Sequence, residues 1–212
     1  MSKGIQFLFK KNKIDHIQGK GKLAGKQTVE VEDENGNKEQ YTAKHIILAT
    51  GARSKVLPNL EQDGEKIIGY RKAMTLSKQP KSMIVVGSGA IGSEFADFYN
   101  SIGTEVTLVE LLPRIVPIED EEISKHLGRS FKKKGIKVMT NASVESVDTS
   151  GDLCKATIKT KKGEETKEAE IILSAVGIQS NLEGLGLEEM GVETEKDKVK
   201  VDEFYRTNVE GV

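Results

Sequence analysis

The feature that most constrains this chain is an apolar run, Met83-Ile84-Val85-Val86, that breaks directly into Gly87-Ser88-Gly89-Ala90-Ile91-Gly92. A short unbroken apolar run suits a strand covered on both faces. Beyond the glycines, Ile91, Phe95, Phe98 and Ile102 are spaced by four, three and four residues, which predicts one face of a helix. Gly103 can close that helix in a left-handed cap. The pattern G-x-G-x-x-G gains meaning only from this strand-before, helix-after context. In that context Gly87 suits the tight turn, Gly89 lets a pyrophosphate approach the backbone, and Gly92 lets helix and strand pack closely. Amides opening a helix favour negative phosphates, so the candidate site takes in Gly87, Ser88, Gly89, Ala90, Ile91 and Gly92.

Val106 to Val109 reads as the next strand and ends in Glu110, 23 residues after Gly87. A carboxylate there can accept hydrogen bonds from the hydroxyls of an adenosine ribose, and its charge would repel a 2′-phosphate. NAD is therefore preferred to NADP as the ligand, although Arg114 is a cation that could reach a phosphate. The bland alternative is an ordinary strand-to-helix turn beside an exposed acid. Glu94 is placed in the first helical turn, where the helix dipole alone would account for an acid.

A second helix is expected after Pro117, with Ile123, Leu127 and Phe131 inward and Gly135 at its end. Acids Glu119 to Glu122 crowd its start and Lys132 to Lys134 its finish, which complements the dipole without requiring a partner. Strands are expected at 136–139, 144–147, 156–159 and 171–176. Upstream, the sequence predicts a short helix over the first twelve residues, strands at 14–18, 27–33 and 39–41 around an Asn35-Gly36 turn, and a buried parallel strand over Ile46 to Ala49. Residues 52–81 read as connection, with a short helix near Lys72 to Leu76, and a last short strand is expected at 198–201. The fold class is α/β: a Rossmann-like parallel sheet with helical crossovers and an antiparallel β-meander, plus an incomplete part of a second nucleotide-binding domain.

Composition narrows the function classes. With 32 basic and 33 acidic residues interspersed, the net charge is −1, which argues against a nucleic-acid partner. No apolar 20-mer and no signal-peptide pattern occurs, so neither a membrane span nor secretion is expected, and the expected compartment is cytoplasmic. Cys154 is the single cysteine, and His16, His45 and His126 lie far apart, so neither a disulfide nor a metal site is expected.

Ile46-Ile47-Leu48-Ala49-Thr50-Gly51 is echoed by Ile171-Ile172-Leu173-Ser174-Ala175-Val176-Gly177, each after a polar hairpin region. Two related units in tandem would leave this trace. The second has its opening strand, glycine turn and helix, and the first lacks them, so both termini are expected to be cut from a longer protein. Taken with Gly19-Lys20-Gly21-Lys22-Leu23, Ala49-Thr50-Gly51-Ala52-Arg53 and Ala175-Val176-Gly177, the fingerprint closely resembles an internal portion of the dihydrolipoamide dehydrogenase family of flavoprotein disulfide reductases.

That resemblance implies a parent enzyme passing electrons from dihydrolipoyl groups through a redox disulfide and FAD to NAD. It would have lipoyl-bearing proteins and a homodimer partner. By the same resemblance Val144 would lie beside the adenine, Gly177 would approach the nicotinamide half, and Gly21, Thr50, Gly51 and Ala52 are partial matches to flavin contacts. Glu94 matches an acid that faces a lysine beside the flavin in such enzymes. The redox cysteine pair and the histidine-glutamate acid/base arrangement are missing, and Ile178 stands where many relatives have arginine. No residue here is therefore assigned a catalytic role, the chain alone is expected to be inactive, and FAD is not expected to be retained. The expected domains are 1–78, a partial FAD-binding domain with linker; 79–195, the NAD-binding domain; and 196–212, a return segment. Competing readings are an autonomous NAD-binding regulatory or interaction domain, a fragment of another pyridine nucleotide-disulfide oxidoreductase, and a monooxygenase-like relative.

Overall fold

The structure, a computed structural model, describes residues 2–212. The chain forms two compact units, one of residues 1–52 with 180–212 and one of residues 53–179. In the first unit, helix α1 (Ser2–Lys11) precedes an antiparallel sheet of β1 (Lys20–Gly25), β2 (Thr28–Glu32) and β3 (Lys38–Thr42). The Asn35-Gly36 turn is held by Asp33, whose carboxylate accepts from the amides of Asn35 and Asn37 at 2.8 Å each. The strand expected at 14–18 is absent. Ile14 and Ile17 are exposed there, and β1 forms instead where β2 supplies the pairing edge, from Lys20↔Glu32 to Gly25↔Thr28.

The expected parallel strand over Ile46 to Ala49 does not form either. Ile46 and Leu48 pack beside Leu23, Leu187 and Val192, while Ile47 is 88% exposed. Apolar sequence makes a strand only when a neighbour accepts its backbone bonds. Here Ile46 donates its amide to Gly211 at 2.7 Å, and among the described residues of this unit no parallel neighbour is present. Chain passage between units runs through β4 (Ala52–Ser54) and, on return, β13 (Ile178–Ser180), before the small hairpin β14 (Thr194–Glu195) and β15 (Lys198–Val199).

The second unit is built on a parallel sheet ordered β5-β12-β6-β7-β8. Its strands are β5 (Ile67–Ile68), β6 (Ser82–Val86), β7 (Glu105–Glu110), β8 (Lys137–Thr140) and β12 (Ile171–Ser174). Residues 52–81, expected as connection, thus contribute an edge strand as well as the short helix α2 (Tyr70–Ala73). Two isoleucines are too short a run to signal a strand until Leu173↔Ile68 pairing supplies one.

Alternation along β6 explains the two layers on this sheet. Met83 and Val85 face Ala96 and Tyr99 of α3 (Ala90–Ser101) and Phe131 of α4 (Glu121–Lys134). Ile84 and Val86 face a meander of β9 (Ser143–Asp148), β10 (Cys154–Thr160) and β11 (Gly163–Ala169), contributing with Val144, Cys154, Ala156 and Ile158 to a second buried cluster. β11 was hidden in the sequence because Gly163-Glu164-Glu165-Thr166-Lys167-Glu168 is polar; it is the edge of the meander and pairs with β10 along its whole length.

The inward face of α3 differs from the expected one. Gly92, Ala96 and Tyr99 are buried, while Phe98 and Ile102 are 55% and 44% exposed. Gly92 and Ala96 let the first part of the helix approach the strands and Tyr99 fills the inner face beyond them, which turns Phe98 and Ile102 to the flank. In α4 the same holds for Ile123, which is exposed, whereas Phe131 is buried as expected. Asp120 caps α4 by accepting from the Glu122 amide at 2.8 Å, and Gly135 ends it at φ +90°. No helix among the described residues is long and apolar enough to cross a membrane.

Cys154 is fully buried, and burial pushes its thiol above the ordinary range. Ellman's reagent should therefore label it only after denaturant is added; equal rates with and without denaturant would place it at the surface. Ile84→Ala should lower unfolding free energy by about 2–5 kcal/mol in urea titration, because it empties space between sheet and meander.

Candidate nucleotide site

The site sits at the carboxyl end of β6, where the turn to α3 begins. Parallel pairing of Val86 with Val109 carries the two strand ends forward together, and the Gly87 amide continues it by donating to the Val109 carbonyl at 2.8 Å. This register delivers Glu110 to the side of the turn. Its Oε2 accepts from the Ser88 amide at 2.8 Å and from the Ser88 hydroxyl at 2.6 Å, and its Oε1 accepts from the Leu112 amide at 2.8 Å. Glu110 is 7% exposed, so these donors are what make an acid tenable there.

The three glycines are required for different reasons. Gly87 adopts φ +95°, and a Cβ on it would lie 2.5 Å from the Ala175 carbonyl oxygen. A Cβ on Gly92 would lie 1.9 Å from the Gly87 carbonyl oxygen, so α3 can meet the turn only with hydrogen at that position. A Cβ on Gly89 would meet no protein atom within 4 Å. Protein packing gives no reason for glycine at position 89, and the space above it is open. Gly89 is also the N-cap of α3, with no side chain bonded across it and no acid in the first turn, which leaves the amides of Ala90 and Ile91 at the open end of the helix dipole. These residues fit a pyrophosphate.

Other candidate residues are placed unequally around this centre. The Ala142 amide donates to the Glu110 carbonyl at 2.9 Å, which brings the segment leading to Val144 alongside. The Val144 side chain itself is buried in the core, so only its backbone could face a base. Ala175 and Val176 run past Gly87, and Gly177 follows at φ +113° with open space beyond its Cα. Glu94 lies one turn further into α3 than expected and is exposed, bordering a cleft of about 330 Å³ with Ala73, Met74, Phe95 and Phe98. Arg114 is engaged by carbonyls, its Nη2 donating to Pro117 at 3.1 Å and Glu119 at 3.4 Å.

In the first unit, Thr50 and Gly51 line a cleft of about 490 Å³ with Leu182, Val199 and Phe204. Thr50 donates from Oγ1 to the Asn181 carbonyl at 2.8 Å, and the Asn181 amide donates to Gly51 at 3.0 Å. Gly21 lies within β1 opposite Val31, and Ala52 opens β4; neither borders that cleft. Among the described residues of this unit no strand runs through a glycine turn into a helix. Ser88 belongs to the candidate motif, but the contact of its hydroxyl with Glu110 is what motif reading does not supply. The signal was there: the residue after the first glycine lies level with the acid that ends the neighbouring strand.

A family model described as pyridine nucleotide-disulphide oxidoreductase matches residues 1–212. The chain is 43% identical over 227 residues to a dihydrolipoyl dehydrogenase of Rhizobium etli, covering 100% of this chain and 47% of that protein. It is 43% identical over 212 residues to a dihydrolipoyl dehydrogenase of Chlorobaculum parvum, covering 100% and 45%. Among solved structures, LpdA from Mycobacterium tuberculosis matches with a TM-score of 0.83 at 32% identity, over 92% of this chain and 43% of that one. The chain spans about half the length of the curated relatives it matches. Matched along its whole length by that model and folded as LpdA is, the chain belongs to the pyridine nucleotide-disulphide oxidoreductase family.

Proposed function

We propose that residues 87–92 and Glu110 bind NAD, and that this chain is the NAD-binding portion of a dihydrolipoyl dehydrogenase. The observation that carries the reading is the Glu110 carboxylate held beside the turn by Ser88 and Leu112. A ribose hydroxyl can donate to that carboxylate, whereas a 2′-phosphate would bring like charge to it. Two unit charges 4 Å apart near a protein surface repel by about 4 kcal/mol. A third of that already separates NAD from NADP by about tenfold. Arg114 keeps its charge but turns Nη2 to the Pro117 and Glu119 carbonyls.

NAD when bound supplies a nicotinamide able to accept a hydride. This chain's part is to hold the diphosphate on the α3 amides, grip the ribose at Glu110, and bring the Gly177 backbone towards the nicotinamide half. In the whole protein we propose electron flow from dihydrolipoyl groups through a disulfide and FAD to NAD, with lipoyl-bearing proteins and a second copy as partners. The two relatives described carry the name dihydrolipoyl dehydrogenase, which supports that assignment. Cys154 is the only cysteine and is buried, so no redox pair is available here, and we propose that the chain alone does not oxidise dihydrolipoamide. FAD should bind weakly at best, since among the described residues the first unit offers no glycine-opened helix for its phosphates.

Calorimetric titration should show NAD and NADH binding at least about tenfold tighter than NADP. The gap should narrow as salt rises, through screening of the exposed phosphate. Equal affinities for NAD and NADP would sink the assignment. Gly89→Ala should leave thermal unfolding unchanged yet weaken NAD. Gly92→Ala should lower the unfolding temperature whether or not nucleotide is present. A Gly89→Ala protein that binds NAD normally would show that the phosphates lie elsewhere.

A further inference from the structure

We propose that the Ser88 hydroxyl closes Oε2 of Glu110, so that the chain reads a single hydroxyl of the adenosine ribose, through Oε1. This rests on the reading of Glu110 as the ribose acceptor. An ionised carboxylate offers about four acceptor positions, two on each oxygen. Both positions on Oε2 are taken by Ser88, at 2.8 Å from its amide and 2.6 Å from its hydroxyl. One position on Oε1 is taken by the Leu112 amide at 2.8 Å. A single acceptor position is left, and it belongs to Oε1.

Of the three donors, the two amides are fixed by the backbone of the turn and of the segment following β7. The hydroxyl alone could rotate away. Its bond lies in the short range of charge-assisted O–H to carboxylate contacts, which are roughly twice as strong as neutral ones. Ser88 is fully buried, so a sugar hydroxyl displacing it from Oε2 would strand a polar group without water. The second sugar hydroxyl is therefore kept off Oε2. Remove the Ser88 oxygen and the carboxylate is still pinned by one amide on each oxygen, but each oxygen then has one open position. That arrangement suits both hydroxyls of a vicinal diol. Ser88 is in this sense a positioning residue that sets how much of the sugar is recognised.

The test is calorimetric titration of the chain and of Ser88→Ala with NAD and with its 2′-deoxyadenosine and 3′-deoxyadenosine analogues, with circular dichroism confirming that the variant is folded. Ser88→Gly, which also lacks the hydroxyl, replaces it if Ser88→Ala does not fold. The unsubstituted chain should lose about tenfold in affinity on deletion of one hydroxyl and less than about twofold on deletion of the other. Ser88→Ala should lose about tenfold on deletion of either. A merely structural role would instead weaken all three ligands together. Equal losses for both analogues on the unsubstituted chain overturn the proposal, as does an unchanged one-sided pattern or a uniform weakening in Ser88→Ala. If the unsubstituted chain does not bind NAD, or binds it and both analogues alike, the ribose-acceptor reading of Glu110 fails first and takes this proposal with it.

Discussion

Helix α3 approaches the end of β6 so closely that only a hydrogen fits between Gly92 and the Gly87 carbonyl. That contact sets the angle and depth at which the helix enters. Its open amides therefore lie at the carboxyl end of the central strand β6. The same turn places Ser88 level with Glu110, so one steric constraint fixes both the open helix end and the carboxylate from which we propose the nucleotide site is built. The sheet beneath supplies the rigidity, with Val85 and Leu108 fully buried between strand and helix layers.

Electrostatics then divides the labour between the two halves. In the proposed site, helix amides present partial positive charge to the diphosphate, and the Glu110 carboxylate faces sugar hydroxyls. An acid buried to this degree would be costly if unpaired. Three protein donors offset that cost and simultaneously restrict how the acid can be used. If Glu110 accepts a ribose hydroxyl as proposed, stability and recognition draw on the same lone pairs, and a gain for one is a constraint on the other.

Legibility in the sequence followed how local each determinant is. Strand β6, the glycine turn, α3 and Glu110 could be read because periodicity and spacing carry them, and Gly135 could be read because a left-handed cap calls for glycine. Residues Ile46 to Ala49 misled because hydrophobicity marks burial, whereas a strand also needs a partner that local sequence does not name. β5 and β11 were missed for the converse reason: partners made strands of segments that were too short or too polar to declare themselves. The inner face of α3 departs from the bulky periodicity because close approach to the sheet selects Gly92 and Ala96 beside Tyr99.

The polar composition of β11 bears on how the meander coexists with its neighbours. One long side of this strand pairs with β10, and it is the terminal strand of its sheet. An unpaired backbone edge of that length is a template on which foreign extended chains can stack. Side chains of Glu164, Glu165, Lys167 and Glu168 project from it in close succession, largely in solvent. Any chain adding on would have to strip water from these charges, so the residues that concealed the strand also disfavour fibrous self-association of this unit.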